Sequence, residues 1–260
     1  MNEQLSGEER QVAPHTGPTI DGAPVSYVVT AASIVLALAF VPLSIVLTSG
    51  KSFPLSQSVY PLMGWLLGPV AGAVANAVGA LVGVMLAPHT TTMPVATVLG
   101  AALGGLAAGA MTVEKERRWW WLPLSLLFMG AYGLYGVRAI VQNGAAWYAV
   151  LLGSFINWSA LLLFVLPTRR WIGRRLQSRD LRRLGAALFL GTWSAAGLTH
   201  LSTATVVYFF SNWPNEVWLA IAPLAPFEHL IRAFVGTVIG VGVISGLRAT
   251  SLVKALHAVY

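Results

Sequence analysis

Apolar positions along this chain gather into seven runs separated by short polar or basic stretches, at roughly 26–48, 60–87, 93–112, 119–137, 145–166, 185–210 and 226–247. Each is long enough to be read as one crossing of a hydrocarbon layer, for which a helix needs about 20 residues. A further apolar piece, 217–225, is short and interrupted by Pro223, with Pro226 just beyond it. It reads as an interfacial cap before the last helix. Pro226 then falls in that helix's first turn, where a missing N–H is harmless. Between Gly68 and Met111 the chain carries no charge, and small residues recur every fourth position: Ala71, Ala75, Gly79 and Gly83, then Gly100, Gly104 and Ala108. Four residues is about one helical turn, so each row lies on one face and permits close helix packing.

Composition fits this pattern. Hydrophobic residues make up 56% of the 260 and charged residues only 10%, against roughly 25% charged in an average soluble domain. The expected fold is all-α: a polytopic integral membrane helix bundle of six to seven transmembrane helices. It would form one domain over 26–248, with a flexible polar tail over 1–25 and a short tail over 249–260. There is no cysteine, which excludes disulfides, thiolate metal sites and cysteine nucleophiles.

The net charge of +7 changes the picture only through its placement. Arg169, Arg170, Arg174, Arg175, Arg179, Arg182 and Arg183 all fall in the connection 167–184. Such a cluster beside apolar runs marks a cytoplasmic loop on anionic lipid and gives no reason to expect nucleic acid. The C-terminal tail falls on the same side. If all seven runs cross, the loop 113–118 is cytoplasmic too and the N-terminus lies outside. Trp119–Trp121 sit at one headgroup level, and Trp213 and Trp218 suggest the other.

Chemistry-bearing motifs are few. Gly50-Lys51-Ser52 resembles the end of a phosphate-binding loop, but Ile45 stands where the motif needs its first glycine, so ATP hydrolysis is not expected of this chain. There is no G-x-S-x-G, no paired intramembrane carboxylate and no His/Asp/Glu set at metal-ligand spacing, so neither an enzyme nor a cofactor is expected. Polar groups inside apolar runs are candidate functional groups by default. Asn76 suits a helix–helix hydrogen bond better than a ligand. Asn157 is open between the two roles. His200 shares a helical face with Trp193, Gly197 and Tyr208, a combination suited to a flat heteroaromatic ligand; a neutral histidine bonded to a neighbouring helix is the structural alternative. Glu228 and Arg232 form an i, i+4 pair that explains itself as helix stabilisation or as the mouth of a pocket. Arg138 reads as an interfacial snorkelling arginine.

The region 26–112 resembles the substrate-binding (S) component of energy-coupling-factor vitamin transporters. The likeness lies in a first helix containing small residues and a long connection ending in Tyr60–Pro61. Leu67-Gly68-Pro69-x-x-Gly72 then opens a Gly/Ala-rich helix, and a next helix carries Gly100, Gly104, Gly105 and Gly109. Pro226-Phe227-Glu228-His229-Leu230-Ile231 is similar to the start of that family's last helix. The resemblance implies capture of a vitamin-like small molecule from outside, with a transmembrane coupling subunit and ATPase subunits as partners alongside membrane lipid. It implies six helices with both ends cytoplasmic, where seven runs are counted here. Substrate would be held by Asn157, Trp193, His200, Tyr208 and Glu228 beneath the 49–59 loop. Ser33 and Ala37, in place of the family's Ala-x-x-x-Ala, would dock the partner together with Ala71, Ala75 and Gly79. The competing class is a non-catalytic structural subunit of a larger membrane complex.

Overall fold

The computed structural model describes residues 17–46, 51–91, 93–112, 119–250 and 252–260. Residues 1–16 of the expected 1–25 tail, Gly50 of the rejected phosphate-loop motif and the loop 113–118 lie outside the described residues. The fold is an all-α bundle: α1 (Val25–Ala39), α2 (Ser56–Leu67), α3 (Pro69–Leu86), α4 (Pro94–Ala110), α5 (Trp121–Val137), α6 (Trp147–Gly153), α7 (Phe155–Val165), α8 (Thr168–Leu176), α9 (Leu181–Tyr208) and α10 (Asn215–Ala249). Two small antiparallel hairpins accompany it, β1 (Thr19–Ile20) with β2 (Ala23–Pro24) and β3 (Pro42–Val46) with β4 (Lys51–Pro54).

Among the described residues, three helices are long and apolar enough to cross a membrane: α3, α5 with the turn that continues it to Gln142, and α10. The bent pair α6–α7 makes a fourth. The expected count of six to seven is therefore met only in part, and four departures explain why. The run 60–87 is not one helix. Gly68, at φ 93°, reverses the chain in a single residue, and α2 and α3 fold back as a hairpin symmetric about it. Gly72 lies against Gly64, and Asn76 donates to the Tyr60 carbonyl at 2.9 Å. The twelve residues of α2 reach only about 18 Å. The run 145–166 breaks at Ser154, with α6 and α7 inclined by 68°. The 217–225 piece is no separate cap, because α10 runs unbroken from Asn215 through Pro223 and Pro226. Finally, α9 has the length of a span at 28 residues but is rich in hydroxyl and small residues. It is the central helix: Thr192, Ser194, Thr199 and Ser202 are buried in the bundle, and no large hydrophobic side chain between residues 182 and 208 is exposed. Hydropathy reports contact with lipid, and this helix is surrounded by protein.

The folding back at Gly68 also fixes the parity of the chain path. Gly22 lies against Leu256 and Gly68 against His257, and Val259 N–H donates to the Trp65 carbonyl. The start of α1, the α2–α3 turn and the C-terminal tail therefore share one end of the bundle. Gly173 against Met111 and Arg169 over the Trp121 ring bring α8, the end of α4 and the start of α5 to that same basic end. An odd number of traverses would have put the two ends of the chain apart. Along the bundle α1, α2, α3, α4, α5, α6–α7, α9 and α10 run alternately away from this end and back to it, an even number of traverses. Residues 19–24 are likewise not a free tail: Asp21 and Gly22, both at positive φ, make the tight hairpin turn that Asp-Gly favours.

Small residues set the helix spacing. A Cβ added at Gly79 would stand 2.6 Å from the Ala32 carbonyl oxygen and 2.7 Å from Val35 on α1, and one added at Gly105 would stand 3.0 Å from the Gly72 carbonyl oxygen. Asn76 completes this half by also donating to the Ala101 carbonyl at 3.2 Å, so one amide ties α3 to both α2 and α4. Large apolar side chains such as Met85, Val95, Leu126 and Phe234 face outward.

A Gly79→Leu substitution is expected to lower stability by about 1–3 kcal/mol, since the added side chain must displace α1 backbone. Gly130→Leu, where the space is open, should be nearly neutral. Thermal unfolding of both variants in the same detergent checks this.

A buried polar cluster as candidate functional site

The cluster forms where α7, α9 and α10 meet, and the break at Ser154 positions its first member. Ser154 Oγ donates to the Val150 carbonyl at 2.6 Å and lies 3.0 Å from Tyr132 Oη. Gly153 lets the Trp218 backbone of α10 approach, since a Cβ there would meet its carbonyl oxygen at 2.6 Å. The chain restarts as α7 with Asn157 N–H on the Ser154 carbonyl, which presents the Asn157 side chain to α9. Asn157 Oδ1 and His200 Nδ1 are 2.8 Å apart. An amide oxygen only accepts, so Nδ1 carries the proton.

One to two turns toward the basic end, α9 meets α10. His229 Nε2 lies 2.8 Å from the Trp193 carbonyl and is the donor for the same reason. The Trp193 and His229 rings meet edge to face at 4.7 Å, and Trp193 Nε1 donates to Ser159 Oγ at 3.1 Å. Gly197 makes room for this crossing, because a Cβ there would lie 3.4 Å from His229 Nε2. One turn further along α10, Arg232 is 3% exposed. Its nearest carboxylate oxygen is on Glu228 at 3.8 Å, beyond hydrogen-bond reach. Its guanidinium carbon stands 4.0 Å from the centre of the Phe53 ring, so β4 closes over it.

The cluster's polar groups are not all satisfied. Asn157 Nδ2, His229 Nδ1 and Arg232 Nε are fully buried and have no hydrogen-bond partner. The first and third are donors, and the second is an acceptor because the ring's proton is on Nε2. Each such atom costs about 1–3 kcal/mol, more where the group is charged. Three in one helix junction form a set of directed groups that a polar molecule of the right shape would complete.

Four of the five expected substrate residues thus fall in one region: Asn157 with His200, Trp193 with His229, and Glu228 with Arg232. Tyr208 does not join them. Eight residues beyond His200 on α9, about 12 Å away along the axis, it is packed at 5.3–5.4 Å against the rings of Tyr135, Trp213 and Trp218. Its hydroxyl accepts from Asn143 Nδ2 at 2.9 Å. Arg138, expected to snorkel, instead donates to the Tyr208 and Phe209 carbonyls, both at 3.0 Å. It thereby caps the C-terminus of α9, where a cation is favoured. His229 was missed as a site residue, although an ionisable side chain inside an apolar run is itself the signal. Phe53 could not be found from sequence, because it reaches the site through the β3–β4 hairpin.

The expected docking row divides. Ala71, Ala75 and Gly79 are buried inside the bundle, with Gly79 against α1. They hold the chain's own helices together and present nothing to a partner. Ser33 and Ala37 remain exposed on α1 beside Val29 and Ile34. No protein-family model matches the chain, and no curated protein or solved structure is significantly similar to it. Among the described residues no group of three or more His, Asp or Glu side chains is placed to hold a metal ion.

A double-mutant cycle of Asn157→Ala with His200→Ala should show a coupling of about 0.6–1.7 kcal/mol, the range of hydrogen bonds between helices in membranes. The cycle of His200→Ala with Tyr208→Phe should be additive. Unfolding midpoints of the six proteins in one detergent measure both.

Proposed function

We propose that this chain is the membrane-embedded capture component of a small-molecule uptake transporter, similar to the S components of energy-coupling-factor systems, with separate coupling and ATPase subunits supplying the energy. The observation that carries the reading is the set of three buried, unpartnered polar atoms on Asn157, His229 and Arg232 beside the break between α6 and α7. Discontinuous helices with unsatisfied polar groups lie at the binding sites of many membrane transporters, and irregular backbone at membrane depth is tolerated where it lines such a site.

The rest of the chain fits that role. The arginine-rich α8 and the C-terminal tail mark the cytoplasmic end, and the start of α1 shares it, which is the orientation the S-component resemblance implies. Substrate then enters from the opposite end, beneath the β3–β4 hairpin, whose Phe53 closes over Arg232. Trp193 and Phe53 give an aromatic wall, and Asn157, His200 and His229 give directed hydrogen bonds, the mixture expected of a small-molecule site. Recognition is confined to the α7–α9–α10 half. The tightly packed α1–α4 half leaves the exposed α1 face of Ser33 and Ala37 for a coupling partner.

Gentle purification from its native membrane should bring down a transmembrane coupling protein and an ATPase pair, with a small molecule retained on the chain by mass spectrometry. His200→Ala should lower the retained amount severalfold. Recovery instead in a stoichiometric complex without an ATPase, and with no retained molecule, would make this a structural subunit.

A further inference from the structure

Arg232 is the least satisfied group in the bundle. It is a guanidinium with five N–H donors, buried to 3% exposure, and among the described residues it makes no hydrogen bond. Its Nε is fully enclosed without a partner. Its one counter-charge, Glu228, stands at 3.8 Å, is 21% exposed and lies on the same helix one turn away. A pair meant only for stability would close into a bidentate contact, because taking a guanidinium out of water is repaid only by good geometry and full hydrogen bonding. Here the geometry is open. Phe53 covers one face of the cation at 4.0 Å and leaves the guanidinium edge to whatever supplies acceptors.

Resting on the capture reading above, we propose that the site is specific for a small aromatic carboxylic acid. Its carboxylate takes the edge of Arg232 in place of Glu228. Its planar body lies against Phe53 and Trp193. A donor on that body meets the bare Nδ1 of His229, and an acceptor meets Asn157 Nδ2. Glu228, partly exposed, is then a stand-in counter-ion that keeps Arg232 neutralised while the site is empty and swings toward the outer mouth when substrate arrives. Net charge inside the bundle is balanced in both states. This is the chemical reason for an acid: a neutral ligand would leave Arg232 to Glu228, and a cationic one would have to displace Arg232 from it.

The two members of the pair must respond in opposite directions. Full-length protein in lipid nanodiscs is titrated with benzoate, indole-3-acetate and 2-naphthoate and with the matching amides and amines, reading the shift in unfolding temperature. The wild type should be stabilised by at least one acid and not by its amide or amine. Arg232→Gln should weaken that acid about tenfold or more, the loss expected for a charge-assisted bidentate contact. Glu228→Gln should melt lower when empty yet bind the acid severalfold more tightly, because the acid no longer competes with an internal carboxylate. A purely structural ion pair would make both variants less stable with no gain in acid binding, and that result overturns the proposal even if Arg232→Gln does not fold. Stabilisation by an amide or amine equal to that by its acid, or by none of the nine compounds while the purified chain still retains a small molecule, overturns the carboxylate assignment and leaves the capture role standing. No stabilisation and no retained molecule removes both.

Discussion

A polar group withdrawn from water must find a partner inside the protein, and this constraint organises the bundle. In the α1–α4 half it is met in large part by backbone: helices approach at glycine and alanine, and the Asn76 amide nitrogen donates to carbonyls of two neighbouring helices, while Asn76 Oδ1, Ser58 Oγ and Trp65 Nε1 stay buried without a partner. At α9 hydroxyls turn back onto their own helix, as Ser202 does to Leu198 at 2.8 Å, or reach a neighbouring helix, as Ser194 does to the Ala160 carbonyl at 3.0 Å. At the junction of α7, α9 and α10 the same constraint is left unmet, at Asn157, His229 and Arg232. What sets this junction apart is that three such atoms, one of them on a guanidinium, lie on helices that meet there.

The two halves are joined by one central helix. α9 packs α4 through Thr199 and Thr203 against Gly100 and Gly104, and it packs α7 and α10 through Gly197 and Trp193. The same helix therefore borders both the polar cluster and the small-residue half. The α10 prolines sit one turn before the cluster. Pro223 and Pro226 each remove a backbone donor from the segment of α10 ahead of Glu228.

Much of this was legible in the sequence. Apolar runs and the four-residue spacing of small residues gave an all-helical bundle, close packing of the α1–α4 half and the structural use of Asn76. The same patterns could not show where a run turns: Gly68 and Ser154 interrupt stretches whose hydropathy never falls, so 60–87 and 145–166 read as single spans. Nor could they separate a protein-facing small residue from a partner-facing one, which is why Ala71, Ala75 and Gly79 read as a docking row. At the site, Asn157, Trp193, His200 and Glu228 were visible as polar or aromatic groups in apolar surroundings. Tyr208 was misplaced because helical periodicity gives the face a residue occupies but not how far along the axis a pocket extends. Phe53 and the pairing of His229 with Trp193 depend on contacts between distant segments, which no local pattern encodes.

A bound molecule completing the unpartnered atoms of Asn157, His229 and Arg232 is the central claim. A high-resolution map of the gently purified protein in native lipid tests it most directly. The expected result is density larger than water between α7, α9 and α10, touching the Arg232 guanidinium, His229 Nδ1 and the Asn157 amide, with Phe53 lying over it. Helices closed on one another there, or ordered waters alone completing all three groups, would contradict it.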